Sequence, residues 1–172
     1  MTFDDPAKEL PFQGVYRLAA DGQLTLLADD IKAPNGIAFS PDEKTLYITD
    51  VNPEHPAWLA YAVKADGTLG NRRVFHAVTS SMKKWPGGPD GLKVDRHGNL
   101  FAAGPGGLYV FAADGTLLGG IRLGVGHRQL RVGGRWQRVV HRRGYRHISS
   151  AHDHRRQCAL IVHSRSLWQL SL

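Results

Sequence analysis

The sequence predicts an all-β fold, a piece of a β-propeller, followed by a basic tail of different character. Three observations carry this expectation. A strand–turn–strand unit recurs at spacings of 45 and then 48 residues. A second repeated unit fills the space between its copies. No apolar pattern of helical period runs through the chain, so helices should be few.

The hairpin unit comes first in each repeat. It has a Tyr, an Asp-Gly five residues on, and then a Leu: Y-R-L-A-A-D-G-Q-L, Y-A-V-K-A-D-G-T-L and Y-V-F-A-A-D-G-T-L, starting at Tyr16, Tyr61 and Tyr109. The turns are Asp21-Gly22, Asp66-Gly67 and Asp114-Gly115. Asp-Gly supplies the positive φ angles of a two-residue hairpin turn, so each unit is expected to be a tight hairpin. The intervening unit is A-P-N-G-I-A-F-S-P-D-E-K-T-L-Y-I-T-D from Ala33 to Asp50 and G-P-D-G-L-K-V-D-R-H-G-N-L-F-A-A-G from Gly88 to Gly104. Ile37 and Phe39 alternate with Ala38, and Leu92 and Val94 alternate with Lys93, which is the pattern of short strands. About four short strands per repeat, at a period in the forties, is the signature of propeller blades. Residues 1–126 hold fewer than three such blades, whereas propellers typically need about 4–8. The competing fold is a small sandwich whose repeats are coincidental.

Composition excludes several classes. Of the 172 residues 42% are hydrophobic and 22% charged, as in globular domains. No apolar run approaches the roughly 18 residues of a membrane span. The opening M-T-F-D-D-P-A-K-E-L is neither a signal peptide nor a transit peptide. A cytoplasmic location is therefore expected, with the periplasm as the alternative if the true N-terminus lies upstream. The single cysteine, Cys158, excludes an internal disulfide framework and a cysteine-based zinc finger.

The net charge of +7 is unevenly shared. Residues 1–126 carry 12 Lys and Arg against 14 Asp and Glu, while residues 127–172 carry 10 Arg and one acid, Asp153. The two stretches are thus expected to be separate units, 1–126 a propeller piece and 127–172 a tail.

Glu9–Leu18 (E-L-P-F-Q-G-V-Y-R-L), Ala33–Asp50 and Gly87–Asp95 (G-G-P-D-G-L-K-V-D), in this order and spacing, resemble the gluconolactonase/regucalcin (senescence marker protein) family, and look most like its bacterial gluconolactonases. The resemblance covers about residues 5–126. It implies a six-bladed propeller with one divalent metal near the central channel, held by a Glu on an early blade, an Asn on a later one, the Asn of P-N-G and the Asp of P-D-G. Asn35 and Asp90 match the last two. The Glu and the other Asn, with the family's main sugar contacts, would lie upstream of Met1. The implied function is that of a piece of a metal-dependent sugar lactonase, which hydrolyses an aldonolactone to the aldonate and is impaired as this shorter chain. Asp90 is its candidate catalytic residue. Its partner is a small sugar lactone, and no nucleic acid or membrane is expected. The oligomeric state is not legible.

The chemistry also stands on its residues. A hard cation takes oxygen ligands, and an Asn amide oxygen with a carboxylate suits Ca²⁺ first, with Zn²⁺, Mg²⁺ or Mn²⁺ as alternatives. Equivalent positions of successive blades converge on the propeller axis, so Asn35 and Asp90 are expected to meet. A metal there polarises a carbonyl and acidifies a bound water, and Asp90 could take the proton. Asn-Gly and Asp-Gly are also ordinary turn dipeptides, so a non-catalytic propeller binding module is the first alternative. Asp50, at a strand end, faces either the channel mouth or an ordinary turn. His55 reads as a loop histidine. Trp85, ahead of Pro86-Gly87-Gly88, covers a sugar pocket or anchors a loop. Lys83 and Lys84 read as a solvated face.

The tail departs from the family after G-T-L-L-G-G-I-R-L-G-V. Read one nucleotide later with permitted codons, Gly-Gly-Arg-Trp-Gln-Arg-Val-Val-His becomes G-D-D-G-S-V-L-Y-I, close to the strand units of this same chain. A shift of reading frame near Gly126 is therefore expected. Arg128, Arg131, Arg135, Cys158 and the histidines at 147, 152 and 154 would then carry no selected function, and the tail should be disordered or poorly packed. The alternative is a basic tail that binds nucleic acid through phosphate charge, but no aromatic positions are interleaved for base stacking.

Overall fold

A computed structural model describes residues 9–123 throughout, together with three short strands further along the chain. The elements are β1 (Gly14–Leu18), β2 (Leu24–Ala28), β3 (Pro34–Phe39), β4 (Thr45–Asp50), β5 (Ala57–Val63), β6 (Leu69–Ala77), the single-turn α1 (Ser80–Lys83), β7 (Leu92–Val94), β8 (Leu100–Gly104), β9 (Gly107–Phe111) and β10 (Leu117–Arg122), followed by β11 (Leu130–Gly133), β12 (Arg138–His141) and β13 (Cys158–Val162). Apart from these last three strands, the expectations for residues 127–172 lie outside the described residues.

All the described sheets are antiparallel. Strands β3-β4-β5-β6 form one four-stranded meander and β7-β8-β9-β10 a second. These are two complete propeller blades in succession. Before them, β1 and β2 pair as the outer hairpin of a further blade, equivalent to β5–β6 and β9–β10. Strand β13 lies along the other edge of β1, with Tyr16 opposite Leu160. It thereby takes the place beside β1 that β4 takes beside β5. Strands β11 and β12 form a separate two-stranded ribbon.

Strand alternation builds the seams between the sheets, because successive side chains point to opposite faces. Leu46 and Ile48 of β4, with Leu59 and Tyr61 of β5, pack towards Val15, Ala28 and Ile31 of the preceding unit. Tyr47, Trp58, Ala60 and Phe75 pack the other way, onto Leu92, Leu100, Ala102 and Phe111 of the next blade. Trp58 is wholly buried at this second seam, 5.1 Å from the Phe111 ring, and Tyr47 meets Phe75 edge-on at 5.0 Å. The first seam carries a polar tie. The Tyr61 hydroxyl donates to the Asp30 carboxylate at 2.9 Å, and Arg72 lies 3.3 Å from the same group. Burial first, and then Asp30, push the Tyr61 phenol well above its usual range.

The Asp-Gly hairpins form where predicted but close differently. In each, three residues intervene between the closing pair: Ala19 N–H donates to Gln23 O, Lys64 N–H to Thr68 O and Ala112 N–H to Thr116 O. Only the glycines, Gly22, Gly67 and Gly115, take positive φ. This is a type I turn completed by a left-handed glycine, the three-residue hairpin, and not the two-residue turn. The aspartates explain the choice. At negative φ their carboxylates accept the N–H two residues on, from Gln23, Thr68 and Thr116 at 2.8–2.9 Å.

Two expectations follow from these packings. Phe111→Ala empties the seam that encloses Trp58 and should cost about 3–5 kcal/mol in a denaturant titration. Acid should also destabilise the fold. The Asp42, Asp66 and Asp114 carboxyls are held below their ordinary value of 3.8 by hydrogen bonds from Ser40, Thr68 and Thr116 in turn. For Asp95 burial acts in the opposite direction, and the Asn99 and His97 donors outweigh it. Lowered folded-state values mean that the unfolded chain binds more protons in acid. The stabilisation is present above the ordinary carboxylate value and is lost as pH falls through and below it. The melting temperature measured by circular dichroism should therefore drop as pH is taken below 3.8.

Candidate functional site

The two candidate ligands stand at the start of the innermost strands of consecutive blades. Asn35 is the second residue of β3, and Asp90 lies two residues ahead of β7. Each follows a fully buried proline, Pro34 or Pro89, and precedes a glycine. A proline lacks an N–H, so it fits where a strand begins.

The Asn-Gly dipeptide is not a turn. Pro34 pairs with Asp50 and Ile37 with Ile48, so one extra residue is accommodated at Asn35-Gly36. Such a bulge re-aims side chains and is frequent next to active sites. In the next blade the ladder continues past the end of β7. Asp90 N–H donates to Ala103 O at 3.1 Å, and Ala103 N–H donates to Gly91 O at 2.9 Å.

The two motifs touch. A Cβ placed on Gly36 would stand 3.1 Å from the Gly91 Cα and 2.8 Å from the Thr49 hydroxyl, and closer still to the Asp90 carbonyl. Only a glycine permits this approach. The backbones of Gly36 and Gly91, 55 apart in sequence, are thereby brought side by side at the inner edge of two blades. Asn35 and Asp90 are both half-buried.

Both side chains offer hard oxygen donors, which suits a calcium-like ion. They are two donors for a shell of about 6–8 oxygens. Among the described residues no three His, Cys, Asp or Glu side chains cluster. The donor types fit a divalent metal, and the balance of the shell would have to come from other oxygen donors, such as backbone carbonyls or water.

The other candidates separate clearly. Asp50 is buried, and its carboxylate accepts the N–H groups of Ala33 at 3.1 Å and Asn52 at 3.0 Å. One of its oxygens, Oδ1, takes both bonds, which makes it a strand-end cap that shapes the approach to Pro34. Asn52 repeats the device for Glu54. His55 is exposed, as are Lys83 and Lys84. Trp85 is a loop anchor. The Arg122 guanidinium lies 3.9 Å over its ring, and Gly106, at φ +76, lies so close that an added Cβ would meet Trp85 at 2.7 Å. The loop is tied again where Gly106 N–H donates to Pro86 O at 2.8 Å. Thr49 and Arg122 were not legible as site-building residues. The former reads as one more alternating strand residue, and the latter as a surface charge.

Residues 1–129 match the family described as the SMP-30/Gluconolactonase/LRE-like region. A gluconolactonase from Zymomonas mobilis is 39% identical over 114 residues, covering 65% of this chain and 32% of the relative. Among solved structures, a gluconolactonase from Xanthomonas campestris superimposes with a TM-score of 0.63 at 41% identity, over 74% of this chain and 40% of that one. A calcium-binding regucalcin from Agrobacterium tumefaciens does so with a TM-score of 0.59 at 28% identity, over 72% and 42%. The chain thus spans about a third of the length of the curated relative and two fifths of the solved structures.

The Trp85 anchor generates an expectation of its own. Arg122→Ala should release the loop and speed tryptic cleavage after Lys83 or Lys84 about fivefold, the equivalent of a modest cation–π contact. Mass spectrometry of the early fragments checks it. An unaltered rate would show that the Pro86–Gly106 bond alone holds the loop.

Proposed function

The chain belongs to the SMP-30/gluconolactonase/LRE-like family, and from that premise we propose that it carries part of the metal site of a lactonase acting on a sugar lactone. The observation that supports this most directly is the contact between the Asn35-Gly36 and Asp90-Gly91 motifs across one blade seam. The names of the relatives, two of them gluconolactonases, support the substrate class.

In this reading the Asn35 amide oxygen and the Asp90 carboxylate hold a divalent ion, Ca²⁺ first among the candidates. When bound, the metal supplies Lewis acidity for the lactone carbonyl and lowers the pKa of a nearby water. Asp90 accepts a proton from the attacking water as its oxygen adds to the carbonyl carbon. The ring C–O bond then breaks, and the ring oxygen leaves as a hydroxyl carrying a proton. One water is consumed and one hydroxy acid, an aldonate at neutral pH, is formed. Asn35 has no proton to give or take at neutral pH, so its contribution is to hold and orient.

The test uses the full chain, glucono-δ-lactone in a pH-stat and calcium titration by calorimetry. Asp90→Ala should lower metal-dependent lactone opening at least about 100-fold. Asn35→Ala should weaken calcium binding at least about tenfold. Calcium binding through these residues without lactone opening keeps the metal-site part of the reading and removes catalysis by this chain. Calcium binding unaffected by either substitution removes the site.

A further inference from the structure

We propose that Thr49 is a positioning residue, a hydroxyl clasp that locks the Asp90 peptide of one blade against the Asn35-bearing strand of the blade before it. The proposal rests on the reading of Asn35 and Asp90 as the metal-holding pair, and it names what sets their relation to one another.

Thr49 has no exposed surface, and it sits one residue from the end of β4. Strand alternation points Leu46 and Ile48 back towards the preceding unit, and Tyr47 and Thr49 towards the next blade. There the Thr49 Oγ1 donates to the Asp90 carbonyl oxygen at 2.7 Å, joining residues 41 apart in sequence. The Asp90 peptide is thus held from two sides. Its own N–H donates to Ala103 O at 3.1 Å within the blade, and its carbonyl is held by Thr49 from the blade before. The bare Cα of Gly36 completes the clasp, since a Cβ there would stand 2.8 Å from the Thr49 hydroxyl.

The clasp is not a general feature of the repeat. The residue of β8 equivalent to Thr49 is Ala103, which has no hydroxyl to offer. Of the two complete blades, only the first offers this donor, at the seam where the two Gly-containing motifs touch. Metal sites tolerate ligand displacements of about 0.2 Å. Groups that orient ligands from behind are commonly worth about 10–100-fold in metal affinity. A backbone carbonyl held by a side-chain donor from the neighbouring blade is well suited to that task.

The test compares Thr49→Val, which keeps the branched shape and removes the hydroxyl, with Thr49→Ser, which keeps the hydroxyl. Two readouts are taken on the full chain: amide hydrogen exchange at Asp90 and Ala103, and calcium affinity by calorimetry. Thr49→Val should speed exchange at both amides and weaken calcium binding, each at least about tenfold, while the β5 amides keep their parental rates. Thr49→Ser should stay within about threefold of the parent on both readouts. Parent-like behaviour of Thr49→Val, or a Thr49→Ser as weak as Thr49→Val, overturns the clasp. Loss of calcium binding in Asp90→Ala under the same conditions then shows that the site reading stands without it. Calcium affinity indifferent to both Asn35→Ala and Asp90→Ala overturns the site reading, and the metal-positioning meaning of the clasp with it, whatever the exchange rates.

Discussion

The seam between the two complete blades is the contact on which the rest of the structure depends. Trp58 fills it, wholly buried, with Phe111, Tyr109 and His76 around its ring at 5.1, 5.9 and 6.2 Å. A propeller blade is a small sheet with two apolar faces, and neither face is stable in water until another sheet covers it. Large aromatic rings close that gap efficiently because each buries a large area and packs against the next, tilted around Trp58 and edge-on between Phe75 and Phe111. Once the outer and middle strands are fixed by this packing, the relative position of β3 and β7 at the inner edge is no longer free. The candidate site is a consequence of that constraint.

The antiparallel connectivity then divides the inner strands into two working ends. At one end, the turns after β3 and β7 and their neighbours are self-contained. Each is organised by an aspartate that accepts N–H groups two or more residues on, as Asp42 does from Lys44 and Asp95 from His97 and Asn99. At the other end the connections reach across to adjacent elements. Asp50 holds Ala33, Thr49 holds Asp90, and Arg122 and Gly106 hold Trp85. The same residue type, aspartate, is a turn former at one end and a strand-end cap or candidate ligand at the other. What it faces decides between these, and facing is a tertiary property.

The two blades are built on one pattern and diverge where the site requires it. Asn35 becomes Asp90, Thr49 becomes Ala103 and Asp50 becomes Gly104 from one blade to the next. The apolar alternation is retained because each blade must still bury both faces. The polar positions at the inner edge vary because each faces a different neighbour. The incomplete blade shows the same logic from the other side. Strand β1 offers the backbone groups of its inner edge, and β13, from far along the chain, pairs with it over five residues. An unpaired edge is a standing template for a strand.

The sequence by itself determined the all-β class, the blade period, the places of the hairpins and the pairing of Pro34-Asn35-Gly36 with Pro89-Asp90-Gly91, because alternation and turn chemistry are local properties. It also pointed to Asn35 and Asp90, since equivalent positions in a repeat must converge if the repeats stack. Tertiary structure alone decided the rest. It showed that Asn35-Gly36 is a bulge and not a turn, because the partner strand β4 sets the register. It made Asp50 a cap and Trp85 an anchor, because the groups they meet, Ala33 and Asn52 for one and Arg122 and Gly106 for the other, are remote or unmarked in sequence. It placed the Thr49 hydroxyl on the Asp90 carbonyl, a contact between two blades that no periodicity encodes. Local physics writes the strands; which side chains share a seam depends on how whole sheets stack.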